Sequence, residues 1–342
     1  MQNLDAFKEL LRLPKSIAIV THPKPDADAL GSSLGLAAYL EKKGHRVRVV
    51  TPTDYPKFLR WMPGNEKVIN FEAEGNAEKV RGVFESAEIL FCLDFPSLGR
   101  IGELGEIVRH AKAKKVLIDH HLQPEAFADF TMSHIEAAAT CQLIHDLIVQ
   151  LGDAQLIDAA IGECLYAGIM TDTGSFRHPN TTSQVHLVVA DLIGRGVDIT
   201  KINRLVYDAN TEERLRFLGF ALKDKLVVLP QYRTAYFAIT ADELRKYHSQ
   251  TGDTEGIVNY GLSMENIVFS VLMTDREGMV RMSFRSVGDF SANEFARRHF
   301  EGGGHKNAAG GRSSLPLDEA LKKFLLALPD YKNELCGMDN AQ

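Results

Sequence analysis

Within the stretch Thr21 to Ser32, T-H-P-K-P-D-A-D-A-L-G-S, one imidazole and two carboxylates, His22, Asp26 and Asp28, fall inside seven residues. Side chains of these types at this density are ligands for a divalent cation, or the surroundings of a phosphate held by one. The residues just upstream, Ser16 to Thr21, are β-branched and apolar, which suits a buried strand. Beyond Gly31, apolar residues recur at helical spacing (Leu34, Leu36, Ala37, Ala38, Leu40). His22, Asp26 and Asp28 are therefore expected on the loop at the carboxyl end of a strand, ahead of a helix, where open α/β sheets bind their ligands. A solvated turn with one Asp as helix N-cap would account for one of the three residues and not for the other two.

Three more sites share that address. Asp94 ends the apolar run ILFCLD, Asp119-His120-His121 ends KVLID, and Asp172 closes an apolar helix in Y-A-G-I-M-T-D-T-G-S-F. Any one of them alone is ordinary as a turn residue or a hydrogen-bonded core pair. Together, carboxylates at the ends of parallel strands converge on one sheet edge, where without cations they would repel one another and raise their own pKa values. A pair of divalent ions is the simplest compensation. Carboxylates mixed with imidazoles suit Mn²⁺, and less well Fe²⁺, Co²⁺ or Zn²⁺; an all-oxygen set would have indicated Mg²⁺ or Ca²⁺. Two ions sharing a carboxylate clamp phosphoryl oxygens and activate water, which points to hydrolysis of a phosphate ester or anhydride.

The elements that must position these groups alternate strand and helix. Strands are predicted at Ser16–Thr21, His45–Val50, Ala87–Asp94 and Lys115–Asp119, and helices near 103–113, 140–151, 156–171 and 183–195. The fold class is α/β: an N-terminal parallel sheet with helices on both faces, then a smaller mixed α/β domain across a cleft. The boundaries are expected at 1–200 for the first domain, 201–224 for a helical linker, 225–332 for the second domain and 333–342 for a polar tail.

The chain has 342 residues, and its charge, 39 − 45 = −6, excludes a broad electrostatic footprint on nucleic acid. An anionic substrate must be met by local charge. The amino terminus is too polar for a signal peptide and no apolar run reaches membrane-spanning length, so no membrane partner is expected. Cys92, Cys141, Cys164 and Cys336 form no CxxC pair and read as small buried apolar side chains in a reducing, cytoplasmic setting.

The pattern H-x-x-x-D-x-D, the isolated Asp94, Asp119-His120-His121 and the later Asp172 resemble, in this order, the four motifs of the DHH phosphoesterase superfamily. Gly302 to Gly310, G-G-G-H-K-N-A-A-G, resembles the GGGH signature of the DHHA1 domain. The compact two-domain form is similar to the nanoRNase / pAp phosphatase group, which removes nucleotides from very short oligoribonucleotides and dephosphorylates 3′-phosphoadenosine 5′-phosphate. The resemblance implies that His22 and Asp26 bind one ion and Asp28 the other, with Asp94 bridging and His120 and Asp172 completing the second set. It implies that His121 faces the scissile phosphate and that Asp119 orients the histidine pair.

Short single-stranded RNA and nucleotide bisphosphates are then the expected substrates, with two divalent ions, Mn²⁺ by ligand type, as cofactors. Successive glycines such as Gly303 and Gly304 let backbone N–H groups approach an anion. His305 and Lys306 add donors, Arg285 can fork onto a terminal phosphate, and Arg100 is a further candidate phosphate contact. Among other readings, a family II pyrophosphatase lacks the GGGH domain, and a single-strand exonuclease needs a longer chain and a more basic channel. Linear or cyclic dinucleotides stay open as substrates. An inactive nucleotide-binding regulator would not need the complete ligand set. The oligomeric state is left open, with a homodimer as one option.

Overall fold

The computed structural model describes residues 1–250, 252–276 and 278–337. It divides into two compact units, Met1–Ala209 and Asn210–Gln342.

The first unit runs α1 (Leu4–Leu10), β1 (Ser16–Val20), α2 (Ala27–Lys42), β2 (Arg46–Thr51), β3 (Ile69–Asn70), α3 (Asn76–Ser86), β4 (Ile89–Leu93), α4 (Glu103–His110), β5 (Lys114–Asp119), β6 (Phe130–Ser133), α5 (Thr140–Gln150), α6 (Ala159–Asp172), α7 (Ser183–Gly194) and α8 (Ile199–Tyr207). Its six strands are all parallel, in the order β3-β2-β1-β4-β5-β6. The direction of strand succession reverses between β1 and β4, so the loops after these two strands flank a crevice at their carboxyl ends. Both central strands, β4 throughout and β1 beyond Ser16, are apolar and buried because both faces are covered. Ile17, Ile19 and Phe91 join the core under α2, α5 and α6. Ala18, Val20, Leu90 and Cys92 join the opposite core, with Phe84 of α3 and Leu104 of α4. Helix α2 lies hard against α6, since a Cβ on Gly31 would sit 2.3 Å from the Cys164 carbonyl oxygen.

The second unit runs α9 (Glu212–Phe220), β7 (Leu226–Leu229), β8 (Thr234–Ile239), α10 (Ala241–Lys246), α11 (Ile257–Leu262), β9 (Phe269–Arg276), β10 (Met279–Ser286), α12 (Ala292–His299), β11 (Glu301–His305), β12 (Ala308–Ser313), α13 (Leu317–Ala327) and α14 (Lys332–Cys336). Its sheet, in the order β11-β12-β10-β9-β8-β7, is antiparallel except for the β8–β9 pair. One core holds Phe269, Phe284, Phe290, Phe295 and Phe324, and another holds Phe217, Phe237 and Leu272.

Four local expectations change. Helix α2 begins at Ala27, ahead of Gly31, because the Asp26 carboxylate caps it by accepting from the Asp28 and Ala29 N–H groups. Asp28 is thus in the first helical turn rather than on the loop. The stretch 201–224 is shared between the units: Ile202 and Val206 are buried in the first core and Phe217 in the second. The glycine run is not a loop but strand β11, hairpin-paired to β12 from Glu301↔Arg312 to His305↔Ala308. Cys336, read from sequence as buried, is exposed at the end of α14, while Cys92, Cys141 and Cys164 are buried, and all four are free thiols. Of the polar tail 333–342, Asn333 to Cys336 lie in α14, and 338–342 fall outside the described residues. No helix among the described residues is long and apolar enough to cross a membrane.

Candidate active site

The ends of β1, β4 and β5, the start of α2 and the end of α6 bring acids and imidazoles together at the carboxyl edge of the first sheet. Strand β1 delivers His22 and the α2 start delivers Asp26 and Asp28. Asp94 follows β4, Asp119-His120-His121 ends β5, and Asp172 is the last residue of α6. The register levels these ends, with Val20 opposite Cys92 and Leu93 opposite Ile118.

Asp94 sits at the centre. Its Oδ2 is 3.4 Å from His22 Nε2, and its Oδ1 is 3.4 Å from His120 Nε2 and 3.7 Å from His121 Nδ1. His22 Nε2 also lies 4.0 Å from Asp26 Oδ2. His120 Nε2 lies 3.7 Å from Asp28 Oδ2 and 3.3 Å from Asp172 Oδ2. The two oxygens of Asp94 therefore look into two adjoining clusters, one with His22 and Asp26, the other with His120, Asp28 and Asp172. The backbone of Asp94 is left-handed, φ 65°, which turns the chain sharply off β4 and aims the carboxylate across the edge. Such a conformation is costly for a residue with a Cβ and is held here by the surrounding packing.

The imidazoles are oriented from behind. His22 Nδ1–H donates to the Pro23 carbonyl (2.9 Å) and His120 Nδ1–H to the Ala137 carbonyl (3.2 Å), which leaves Nε2 of both rings facing the carboxylates. His121 differs. Its Nδ1 bonds Asp119 Oδ1 at 2.8 Å, and Asp119 is fully buried, so Nε2 is turned away from Asp119.

Charge is unbalanced in this pocket. Burial pushes the Asp28 carboxyl up to about 7, with the Asp94 charge adding to it. Burial and the nearby Asp28 charge also raise Asp172 well above the carboxylate range. For His22, burial works against protonation, but the bond to Asp94 and the charges of Asp26 and Asp94 outweigh it and raise the ring to about 9. Burial likewise opposes protonation of His120, and Asp94, Asp172 and Asp28 together hold it well above its usual value. Asp94, despite burial, stays well below the ordinary range because His120 and His22 bond it. Protons are thus gathered where cationic charge is wanted. His22, Asp26 and Asp94 can hold one metal ion, and Asp28, Asp94 and His120 another, each set having ligand atoms within 4.8 Å of one another. The donor set, carboxylate oxygens with Nε2 of backbone-anchored histidines, fits divalent transition-metal ions.

Of the remaining candidates, Arg100 is exposed in the 3₁₀ turn Leu98–Ile101. In the second unit, Arg285 and His305 both stand opposite Ala308 of β12, which places them in one row across three strands. Lys306 pairs with Asp289 at 3.0 Å. Gly302 and Gly304 are demanded by packing, since a Cβ would come within 2.5 Å of a carbonyl oxygen in each case. Gly303 is not, its nearest neighbour being Asn293 Oδ1 at 3.9 Å.

Sequence reasoning missed Thr140. Its N–H donates to Asp28 Oδ2 (2.7 Å), its hydroxyl donates to Asp94 Oδ1 (2.9 Å), and the next N–H, of Cys141, donates to Asp28 Oδ1 (2.8 Å). Nothing in A-A-A-T-C announces this, because the bonds join residues 46 to 113 positions apart.

The chain is similar to known proteins over both units. The family model "DHH family, N-terminal domain" matches residues 16–169, and "DHHA1 domain" matches 235–333. The bifunctional oligoribonuclease and PAP phosphatase NrnA of Thermus thermophilus is 32% identical over 318 residues, covering 91% of this chain and 89% of that protein. The protein of the same name from Bacillus subtilis is 25% identical over 317 residues, covering 91% and 94%. A crystal structure of an exopolyphosphatase-related protein from Bacteroides fragilis superposes with a TM-score of 0.92 at 38% identity over 97% of both chains.

Proposed function

We propose, from the premise that this chain belongs to the DHH family, that it is a metal-dependent phosphoesterase acting on very short oligoribonucleotides, linear dinucleotides included, and on 3′-phosphoadenosine 5′-phosphate. The observation that carries this reading is the meeting of His22, Asp28, Asp94, His120 and Asp172 at one sheet edge, with Asp94 facing both clusters. The NrnA relatives, matched over most of their length, supply the substrate class. His22 and Asp26 would hold one ion, Asp28, His120 and Asp172 the other, and Asp94 both; Mn²⁺ is the ion this mixed set suits best. When bound, such a pair supplies Lewis-acid polarisation of phosphoryl oxygens and a more acidic water.

The chain's own residues do the rest. His121, with Nδ1–H given to Asp119, carries a proton on Nε2 only as the imidazolium. Buried Asp119 balances that charge, so His121 can donate to a non-bridging phosphoryl oxygen as negative charge grows there. In the second unit, Arg285 and His305, level on one strand row, together with the open backbone at Gly303 and with Gly304 and Lys306, would bind another phosphate of the substrate. Three free buried thiols suit a reducing compartment, and we place the protein in the cytoplasm.

A parallel assay tests the reading. Purified protein with added Mn²⁺ is given 3′-phosphoadenosine 5′-phosphate, a 5′-phosphorylated RNA dinucleotide, linear pGpG, a long single-stranded RNA, pyrophosphate and polyphosphate. Fast turnover of the bisphosphate and the dinucleotides, with little on long RNA, is the expected result. Turnover confined to pyrophosphate or polyphosphate would overturn it.

A further inference from the structure

The start of α5 contributes no ligand, yet it touches the centre at three points. The first helical residues have N–H groups without intrahelical partners. Here those of Thr140 and Cys141 are taken by the two oxygens of Asp28, at 2.7 and 2.8 Å. The Thr140 hydroxyl does not cap its own helix, whose N-cap is Ala139 with no side-chain bond. It reaches instead to Asp94 Oδ1 at 2.9 Å. Two residues before the cap, the Ala137 carbonyl accepts from His120 Nδ1–H. The segment is itself braced: Ala138 N–H donates to Gln142 Oε1 (3.0 Å) and Asn180 Nδ2 to the Ala138 carbonyl (3.2 Å).

We propose that Thr140 is a positioning residue of the metal centre, its hydroxyl fixing the plane of the Asp94 carboxylate while its N–H holds Asp28; the inference rests on the metal-site reading above. A carboxylate that serves two clusters must keep one rotation about Cβ–Cγ, a torsion that is intrinsically broad. Oδ1 is the oxygen with two imidazoles beside it, His120 and His121, and so the one with competing partners. The hydroxyl, on a fully buried residue, adds a fixed donor to it, while the backbone of Asp94 is held separately by its N–H bond to the Ile118 carbonyl. Partners of this kind around metal ligands change affinity by about 10- to 100-fold when removed.

Thr140→Val keeps the shape and both N–H groups and deletes only the donor; Thr140→Ser restores the donor. The full chain is stripped of metal, its melting temperature is recorded, and Mn²⁺ is titrated calorimetrically. The kcat and KM for a 5′-phosphorylated RNA dinucleotide follow at saturating Mn²⁺. Thr140→Val should bind Mn²⁺ about 10- to 100-fold more weakly and lose kcat with KM unchanged, while Thr140→Ser stays within about threefold of wild type. Equal Mn²⁺ affinity in Thr140→Val and wild type would overturn the proposal, as would an equal loss in Thr140→Ser. If Thr140→Val does not fold, Thr140→Ala makes the same comparison. Failure of both to fold, with Thr140→Ser folded, would assign the hydroxyl to the fold and refute the positioning role. A wild-type chain that takes up no divalent ion would instead sink the metal-site reading itself.

Discussion

Replacing Asp94 by Asn removes one charge at the point where both clusters meet and leaves the volume unchanged. In the metal-free protein His22 is raised to about 9 from its ordinary 6.5, a difference worth about 3 kcal/mol. Burial alone would move the ring the other way, and Asp94 supplies both the hydrogen bond and one of the two charges that overcome it. In Asp94→Asn the His22 titration should therefore fall from about 9, with burial left to oppose only Asp26 and the Pro23 bond. With metal bound, the same carboxylate faces doubly charged cations, so at least as much interaction is lost: about 3 kcal/mol, or a hundredfold or more in affinity. Histidine ring NMR on the metal-free protein, assigned with His22→Gln, reads the first effect. Calorimetric titration with Mn²⁺ and turnover of 3′-phosphoadenosine 5′-phosphate read the second. A His22 midpoint that stayed near 9, or Mn²⁺ affinity within threefold of wild type, would refute the central placement of Asp94.

Three other outcomes are expected, one at the metal site and two in the second unit. The native metal-free site holds more protons than the unfolded chain, on Asp28 up to about 7 and on His22 up to about 9. Stability of the metal-free protein must then fall as pH rises through those values, whereas Mn²⁺, which replaces the protons, is favoured. The rise in melting temperature caused by Mn²⁺ should grow between about pH 6 and pH 9 by scanning calorimetry, and a constant or shrinking rise would contradict this. In the second unit, Gly302→Ala forces a Cβ to within 2.5 Å of the Gly310 carbonyl oxygen, and urea unfolding should show a loss of about 1–3 kcal/mol. Gly303→Ala meets nothing nearer than 3.9 Å; it should fold as stably as wild type and raise KM for the bisphosphate, and an unchanged KM would exclude substrate approach at that backbone.

The parallel sheet was legible because β1, β4 and β5 are short apolar runs, each closed by a polar residue, and the alternation of strands with helices admits few other arrangements. The short strands β3 and β6 were not, since Ile69–Asn70 and Phe130–Ser133 carry too few residues for a periodic signal. The start of α2 was misplaced because Pro25 and the two aspartates read as loop, when Asp26 is in fact the cap that lets the helix begin. Strand β11 was not legible either, because three successive glycines offer no alternation of side chains to detect. Its pairing with β12 comes from the backbone ladder, with one side-chain pair at its start, Arg312 Nε to Glu301 Oε2 at 2.8 Å.

Residue type and order by themselves determined which side chains can bind cations and which ends of strands they occupy, because ligand chemistry is a local property and parallel strands share one carboxyl edge. Only the tertiary structure decided that Asp94 turns one oxygen to His22 and the other to His120, that Asp119 is paired with His121, and that Thr140 braces Asp28 and Asp94 from another helix. Those relations depend on backbone bends such as the left-handed Asp94 and on contacts between segments far apart in the chain, and neither leaves a trace in local spacing.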